Sequence, residues 1–240
     1  MAASGLPGGG RLDLRQLAFR FPHRARQRLQ DFLPTPCNRK AYQGLLSWPD
    51  WPHFTCLLVG PPASGRTHLA RIWCELARAP LVRGAELAAV QDPLAWLGSH
   101  RALAVDDADQ VAEARRLLEL HNLLRERGGH LLLTARRPAA AWPEPLPDLR
   151  SRLLSAFLLT IEPPDDAILE MLLIKQSLDR GLLLPPDVVR FLAVRMERSF
   201  TAVRALVDTL DRLSLAAKRP VSLATARAAL GELAGAPPQS

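Results

Sequence analysis

The sequence predicts an α/β fold, a parallel five-stranded sheet flanked by helices, followed by a small all-α domain. Three observations predict it. Short apolar runs alternate with amphipathic helical stretches between residues 54 and 161, as strands buried on both faces and joined by helical crossovers do. A glycine-rich stretch at 60–67 follows the first strong run directly. After Glu162-Pro163-Pro164 the strand pattern stops and only helical periodicity continues.

The elements follow in order. Residues 1–30 read as a flexible N-terminal tail, starting small and glycine-rich through Gly8-Gly9-Gly10 and turning basic at 22–28. A proline-rich loop at 33–36 leads to a helix over 41–46, closed by Trp48-Pro49-Asp50-Trp51-Pro52. The run at 54–59 is the first strand. A helix over 67–79 carries Leu69, Ile72, Trp73 and Leu76 at helical spacing. Further strands are expected at 80–82, 102–106, 130–134 and 157–161. The helices between them lie at 111–126, ended by Gly128-Gly129, and at 149–154. Asp165 caps a helix with Ile168, Leu169, Leu172 and Leu173 on one face. Pro185-Pro186 opens another through Met196, a third runs over 201–213, and a fourth follows Ser222. The domains are therefore 1–30, an α/β domain at 31–162, and a helical lid at 163–240. No internal repeat is present.

The 240 residues suit one large or two small domains, and 48% apolar content supplies a core. No apolar run approaches the roughly 18 residues that span a bilayer, and no signal peptide pattern precedes the chain. The expectation is a cytoplasmic protein with no membrane partner. Cys37, Cys56 and Cys74 are odd in number and lack metal-ligand spacing, so they read as reduced, buried thiols. The net charge of +7 is carried mostly by arginine. It fits a nucleic-acid or acidic partner, and equally the residue usage of a GC-rich gene.

The chemistry centres on Gly60-Pro61-Pro62-Ala63-Ser64-Gly65-Arg66-Thr67. This is a phosphate-binding loop of the form G-x-x-x-x-G-[K]-[ST], with arginine in the lysine position. Its glycines let backbone N–H groups approach phosphate oxygens, and the following helix aims its positive end at the same anion. Nucleotide contacts are assigned to Gly60, Pro61, Ala63, Ser64, Gly65, Arg66, Thr67 and His68. Thr67 supplies a hydroxyl for Mg²⁺. Arg66 is a longer, planar fork where lysine is a compact charge, which predicts nucleotide binding rather than fast hydrolysis. Asp106 and Asp107 end a buried strand at the sheet's carboxyl edge, where ligands bind. Asp106 would hold Mg²⁺ through water and Asp107 would polarise an attacking water; the same acids also suit a helix cap.

Three residues have two readings each. Thr134, at the end of its strand, is either a γ-phosphate sensor or a satisfied strand-end hydroxyl. Arg152 is either an arginine finger reaching a neighbouring nucleotide or a solvated side chain. Arg204, on a helix whose Phe200 and Val203 pack inward, either faces the cleft and touches nucleotide or faces water.

Taken together these segments resemble the DnaA/Hda branch of the AAA+ class of P-loop NTPases. The resemblance runs from Gln16 to Leu230 and is anchored by GPPASGRTHL, AVDD, LLLT, LRSRL, IEPP and RSFTAVRAL in that order. It implies that the segment from Phe32 to Asn38 packs around adenine, and that the resident ligand is ADP or ATP with Mg²⁺. At Arg136 the chain has arginine where the initiator has an acidic sensor residue. The end of the chain at Ser240, just after the lid, leaves no room for the initiator's DNA-binding domain, which points to the regulatory members of the branch.

Those members imply a function: regulatory inactivation of the replication initiator DnaA. Gln16-Leu17-Ala18-Phe19-Arg20-Phe21 resembles their docking motif for the DNA polymerase III β sliding clamp. Gln16 would bond at the pocket rim while Leu17, Phe19 and Phe21 insert as apolar anchors; an ordinary edge strand is the other reading. Arg152 would then complete the active site of DnaA in trans, and DNA would be met only through the clamp. Self-association stays open. Two other functions remain: an autonomous AAA+ ATPase or helicase-loading factor, and a non-enzymatic adaptor that sequesters DnaA.

Overall fold

A computed structural model of the chain describes residues 32–143 and 146–235. The clamp-motif residues Gln16, Leu17, Phe19 and Phe21 lie outside that range. The strands are β1 (Thr55–Val59), β2 (Leu81–Arg83), β3 (Ala102–Asp106), β4 (His130–Ala135) and β5 (Phe157–Thr160). They form one sheet in the order β2-β3-β4-β1-β5, with every pair parallel. The α/β helices are α1 (Arg39–Leu46), α2 (Arg66–Ala77), α3 (Pro93–Leu97), α4 (Ala114–Glu126) and α5 (Pro147–Leu154).

Strand periodicity divides the core into two layers. Cys56, Leu58, Ala102, Ala104 and Leu132 face one side, where they meet Ala41 and Leu45 of α1 and Leu69, Ile72 and Trp73 of α2. Their neighbours Leu57, Val59, Leu103, Val105, Leu131 and Leu133 face the other, with Leu117, Leu120 and Leu124 of α4 and Leu149 and Leu153 of α5. Alternate side chains of a strand point to opposite faces, so a strand apolar at every position must be covered twice. The three cysteines are buried free thiols, and burial pushes each pKa up, to about 12 at Cys74.

Boundaries differ from the sequence expectation where the backbone reverses hand. The helix expected over 67–79 stops at Ala77 because Arg78 adopts φ +52° and its N–H bonds back to Cys74 O. The helix expected over 111–126 ends at Glu126 as expected, with Gly128 at φ +59° after it, but begins only at Ala114. The short α3 was not expected. Five residues show no periodicity, although Asp92 caps it through the Leu94 and Ala95 N–H groups and Pro93 opens it.

The remaining helices, α6 (Asp166–Leu178), α7 (Pro186–Ala193), α8 (Phe200–Ala217) and α9 (Leu223–Gly235), enclose a separate core. It is built from Leu169, Leu173, Val188, Leu192, Val203, Leu206, Val207 and Leu210. Asp165 caps α6 by accepting from Ile168 N at 2.9 Å. Ile168 and Phe200 leave this bundle to pack in the α1/α2 layer of the α/β domain. They seat the bundle beside the loop at residues 60–67.

Candidate functional site

The loop between β1 and α2 is shaped by two glycines. Gly65 is the N-cap of α2 at φ +93°, a backbone state that side chains resist. A Cβ on Gly60 would stand 2.8 Å from Ser64 Oγ and 2.9 Å from Ile161 Cβ. The turn is thus tight enough to leave the N-terminal N–H groups of α2 without intrahelical partners, and the helix dipole favours an anion there.

Five side chains meet across the sheet edge behind this loop. Thr67 Oγ1 donates to Asp106 Oδ2 at 2.8 Å, and Thr134 Oγ1 donates to Asp106 Oδ1 at 2.6 Å. Both oxygens of a buried carboxylate are therefore satisfied. The Asp107 N–H in turn bonds Thr134 Oγ1 at 2.9 Å, which helps hold Asp107 at φ +51°. Arg66 Nη2 pairs with Asp107 Oδ1 at 3.0 Å, with the arginine side chain 8% exposed.

This arrangement fits a nucleotide phosphate with a divalent cation. Arg66 Nη1 and Ser64 Oγ are buried with no hydrogen-bond partner, and a buried donor left unpaired is costly. Phosphate oxygens would satisfy both. Thr67 gives its hydrogen to Asp106 and keeps its lone pairs for a cation, with Asp106 placed to hold that cation through water. Among the described residues no cluster of three or more His, Cys, Asp or Glu side chains could hold a metal by itself. A cation here would depend on the phosphates it bridges.

The cleft in front of the loop measures about 560 Å³ and is lined by Ala63, Ser64, Gly65, Arg66, Thr67 and His68, together with Arg71, Gln176 and Arg204. Arg204 thus lines the cleft, the first of the two positions its helix spacing left open. Arg71 and Gln176 were missed. Arg71 lies four residues after Thr67 on α2, a spacing that shares a helix face. Gln176 belongs to α6 and reaches the cleft only because of how the bundle is seated.

The other expected residues are placed as follows. Phe32 is buried, stacked on Tyr42 at 5.4 Å and edge-on to His68 at 5.5 Å, and it lies against Gly65. Asn38 is not among the cleft residues: its Oδ1 accepts from Thr35 N at 2.7 Å and its Nδ2 donates to Leu33 O at 3.0 Å, so the amide shapes the turn after Phe32. Thr134 is fully buried, and its single hydroxyl hydrogen is given to Asp106. Arg136 is exposed, and its N–H bonds Asp109 Oδ2 at 3.0 Å.

Arg152 does not line the cleft. Its Nε and Nη2 fork onto Asp148 at 2.9 and 3.0 Å, and its Nη1 reaches Asn122 Oδ1 on α4 at 2.6 Å. Hydrogen bonding to Arg152 holds the exposed Asp148 carboxyl below its ordinary pKa.

Comparison with known proteins gives this geometry a lineage. Residues 165–230 match the family described as the Hda lid domain. The chain is 29% identical over 134 residues to the chromosomal replication initiator protein DnaA of Thermomicrobium roseum. That stretch is 54% of this chain and 29% of the initiator. The chain resembles the DnaA/Hda branch of the AAA+ class, as the lid match and the initiator relative support. The fold is that of DnaA domain III from Thermotoga maritima, with a TM-score of 0.73 at 19% identity, covering 86% of this chain and 96% of that one. AMPPCP-bound DnaA from Aquifex aeolicus aligns with a TM-score of 0.65 at 17% identity, over 78% of this chain and 65% of that one. The residues that match the lid-domain family fall on α6 to α9, and no helix among the described residues is long and apolar enough to cross a membrane.

Proposed function

We propose that this chain is a regulator of a DnaA-type initiator, stimulating hydrolysis of the initiator's ATP through Arg152 supplied in trans. The observation that carries this reading is the state of Arg152. It stands outside the chain's own cleft, three of its five N–H groups are held within the chain, and two remain for an acceptor on another molecule. Exposed Leu154 on the same helix and exposed Leu158 on the next strand supply apolar surface for a docked protein. The chain's own loop would hold ADP or ATP with Mg²⁺. Thr67 and Asp106 would hold the cation, and Arg66, Ser64 and Arg204 would meet the phosphates. The bound nucleotide supplies the charge that these groups converge on, and so ties the lid to the α/β domain.

Intrinsic turnover is disfavoured by the Arg66–Asp107 pair, since the acid that would polarise water already faces a buried guanidinium. The N-terminal motif would tether the regulator to the loaded β sliding clamp and raise its effective concentration at the replication site.

The test is ATP hydrolysis by a DnaA initiator, measured with and without this protein and DNA-loaded clamp. The expected result is a stimulation that Arg152→Ala removes. Turnover without the initiator, lost in Asp107→Ala but kept in Arg152→Ala, would instead identify an autonomous ATPase. Inhibition of the initiator that survives Arg152→Ala would identify a sequestering adaptor. Replacing Gln16, Leu17 and Phe19 with alanine should abolish co-elution with the clamp while nucleotide binding persists.

A further inference from the structure

We infer that Asp148 and Asn122 are positioning residues for Arg152: together they hold its guanidinium in one orientation before any partner arrives. The inference rests on the proposed role of Arg152 but concerns a property of the free protein. An arginine side chain carries much rotamer freedom, and a finger that had to order itself on docking would lose that from the transition state. Here the order is built in. Asp148 sits one turn before Arg152 on α5, and its two oxygens take Nε and Nη2 as a fork, the geometry in which a carboxylate fixes the plane of a guanidinium.

A fork from the same helix leaves the plane free to swing with the side chain. Asn122 removes that freedom. It comes from α4, 30 residues earlier, and takes Nη1 at 2.6 Å. The α4 and α5 helices are themselves fixed by Leu120, Leu124, Leu149 and Leu153 in the core they share. The guanidinium is thereby tied to two elements at three points, and its two remaining N–H groups have a defined direction.

The contrast with Arg150 on the same helix shows that this is not a property of any arginine there. Arg150 makes one bond, to Ala140 O at 3.2 Å, and is exposed. Arg152 is half-buried and bonded on both sides. The Asp148 carboxylate also reduces the local positive charge, so the arrangement favours placement over raw field strength.

The experiment uses the full chain carrying Asp148→Ala, Asp148→Asn or Asn122→Ala, with Arg152→Ala as reference. The hydrolysis rate of the ATP-loaded initiator is measured against protein concentration. Loss of placement lowers the rate at saturation by roughly tenfold to a hundredfold in Asp148→Ala and Asn122→Ala, with the half-saturating concentration unchanged. Asp148→Asn keeps one acceptor oxygen and falls between them and the native chain. A saturating rate that is unchanged, or that rises when the Asp148 charge is removed, overturns the inference, as does a shift confined to half-saturation. Full stimulation by Arg152→Ala overturns the proposed function instead.

A second measurement needs no partner: ¹⁵N relaxation of the Arg152 Nε–H group in the free protein. It should be as rigid as the backbone in the native chain and mobile in Asp148→Ala and Asn122→Ala. Mobility in the native chain refutes the inference whatever the initiator does. Unfolding midpoints and binding of nucleotide at the chain's own loop confirm that each variant is folded.

Discussion

Arg66 and Arg152 each face a carboxylate at hydrogen-bond distance, yet the two pairs are opposite in kind. Arg66 is 8% exposed, uses Nη2 on Asp107, and leaves Nη1 buried without a partner. Arg152 is 26% exposed, forks onto Asp148, gives Nη1 to Asn122, and has two N–H groups that these bonds do not use. An unpaired buried donor costs free energy until a ligand meets it. A donor at the surface costs little and waits for another molecule. The first arginine therefore belongs to a site that is incomplete without a small anion. The second belongs to a finished surface. The same residue type serves two functions because its surroundings differ in water access and in the number of partners.

Mutations should separate the two arginines. Arg152→Ala is expected to have the largest effect, lowering stimulated hydrolysis by the initiator by about 10³-fold or more. The chain's own affinity for fluorescent nucleotide should stay the same. Equal losses in both assays would erase the distinction between the sites. Arg66→Ala should do the reverse, weakening nucleotide binding by about a hundredfold through loss of a charge-assisted contact. Titration with labelled ADP and ATP measures it. Arg66→Lys sharpens the same point: it should keep affinity within about tenfold and raise intrinsic turnover, because the shorter ammonium would release the Asp107 carboxylate.

A smaller effect is expected from pH, beside Arg152. Burial drives the pKa of His121 from 6.5 down to about 4, opposed by a contact with Asn122 and assisted by the charges of Arg152, His53 and Arg125. The folded imidazole stays neutral while the unfolded one takes up a proton near its ordinary pKa. Between those values the unfolded state binds more protons, so stability falls as pH drops from about 6.5 towards 4 and is level above that range. From pH 7 to pH 5 the loss is on the order of 2 kcal/mol, read as a shift in the urea midpoint. His121→Leu should flatten the slope. The smallest effect is a control at neither arginine. Asp165→Ala removes the cap of α6 and should cost about 1 kcal/mol without altering either activity assay beyond the change in lid stability.

Much of this was legible from local chemistry. β1, β3 and β4 are apolar at nearly every position, so they had to be central and covered on both faces. The loop at 60–67 announced itself through Gly60, Gly65 and Thr67, whose spacing needs no distant partner to be recognised. Arg204 could be placed off the buried face of its helix because Phe200 and Val203 define that face, though cleft or water stayed open. Asp165, Gly128 and Pro186 marked helix ends by capping rules that act within four residues.

Other features were not legible because they are made by residues far apart in the chain. Thr134 had two readings by position, sensor or satisfied hydroxyl, and only the structure shows its one hydroxyl proton given to Asp106, 28 residues earlier. Asn38, which the family resemblance put at the nucleotide, spends its amide on a turn. Gln176 enters the cleft from the lid, and Asn122 reaches Arg152 from another helix. No periodicity encodes such meetings.

The sequence by itself determined the α/β order, the helical lid, the phosphate loop and the residue types available for charge. These follow from interactions among residues a few positions apart, where backbone geometry leaves little choice. The tertiary structure alone decided which carboxylate each arginine meets, which donor stays unpaired and which N–H groups are left unused. Those depend on how two packed layers and a lid close over one another, and packing brings together side chains that chain distance cannot relate.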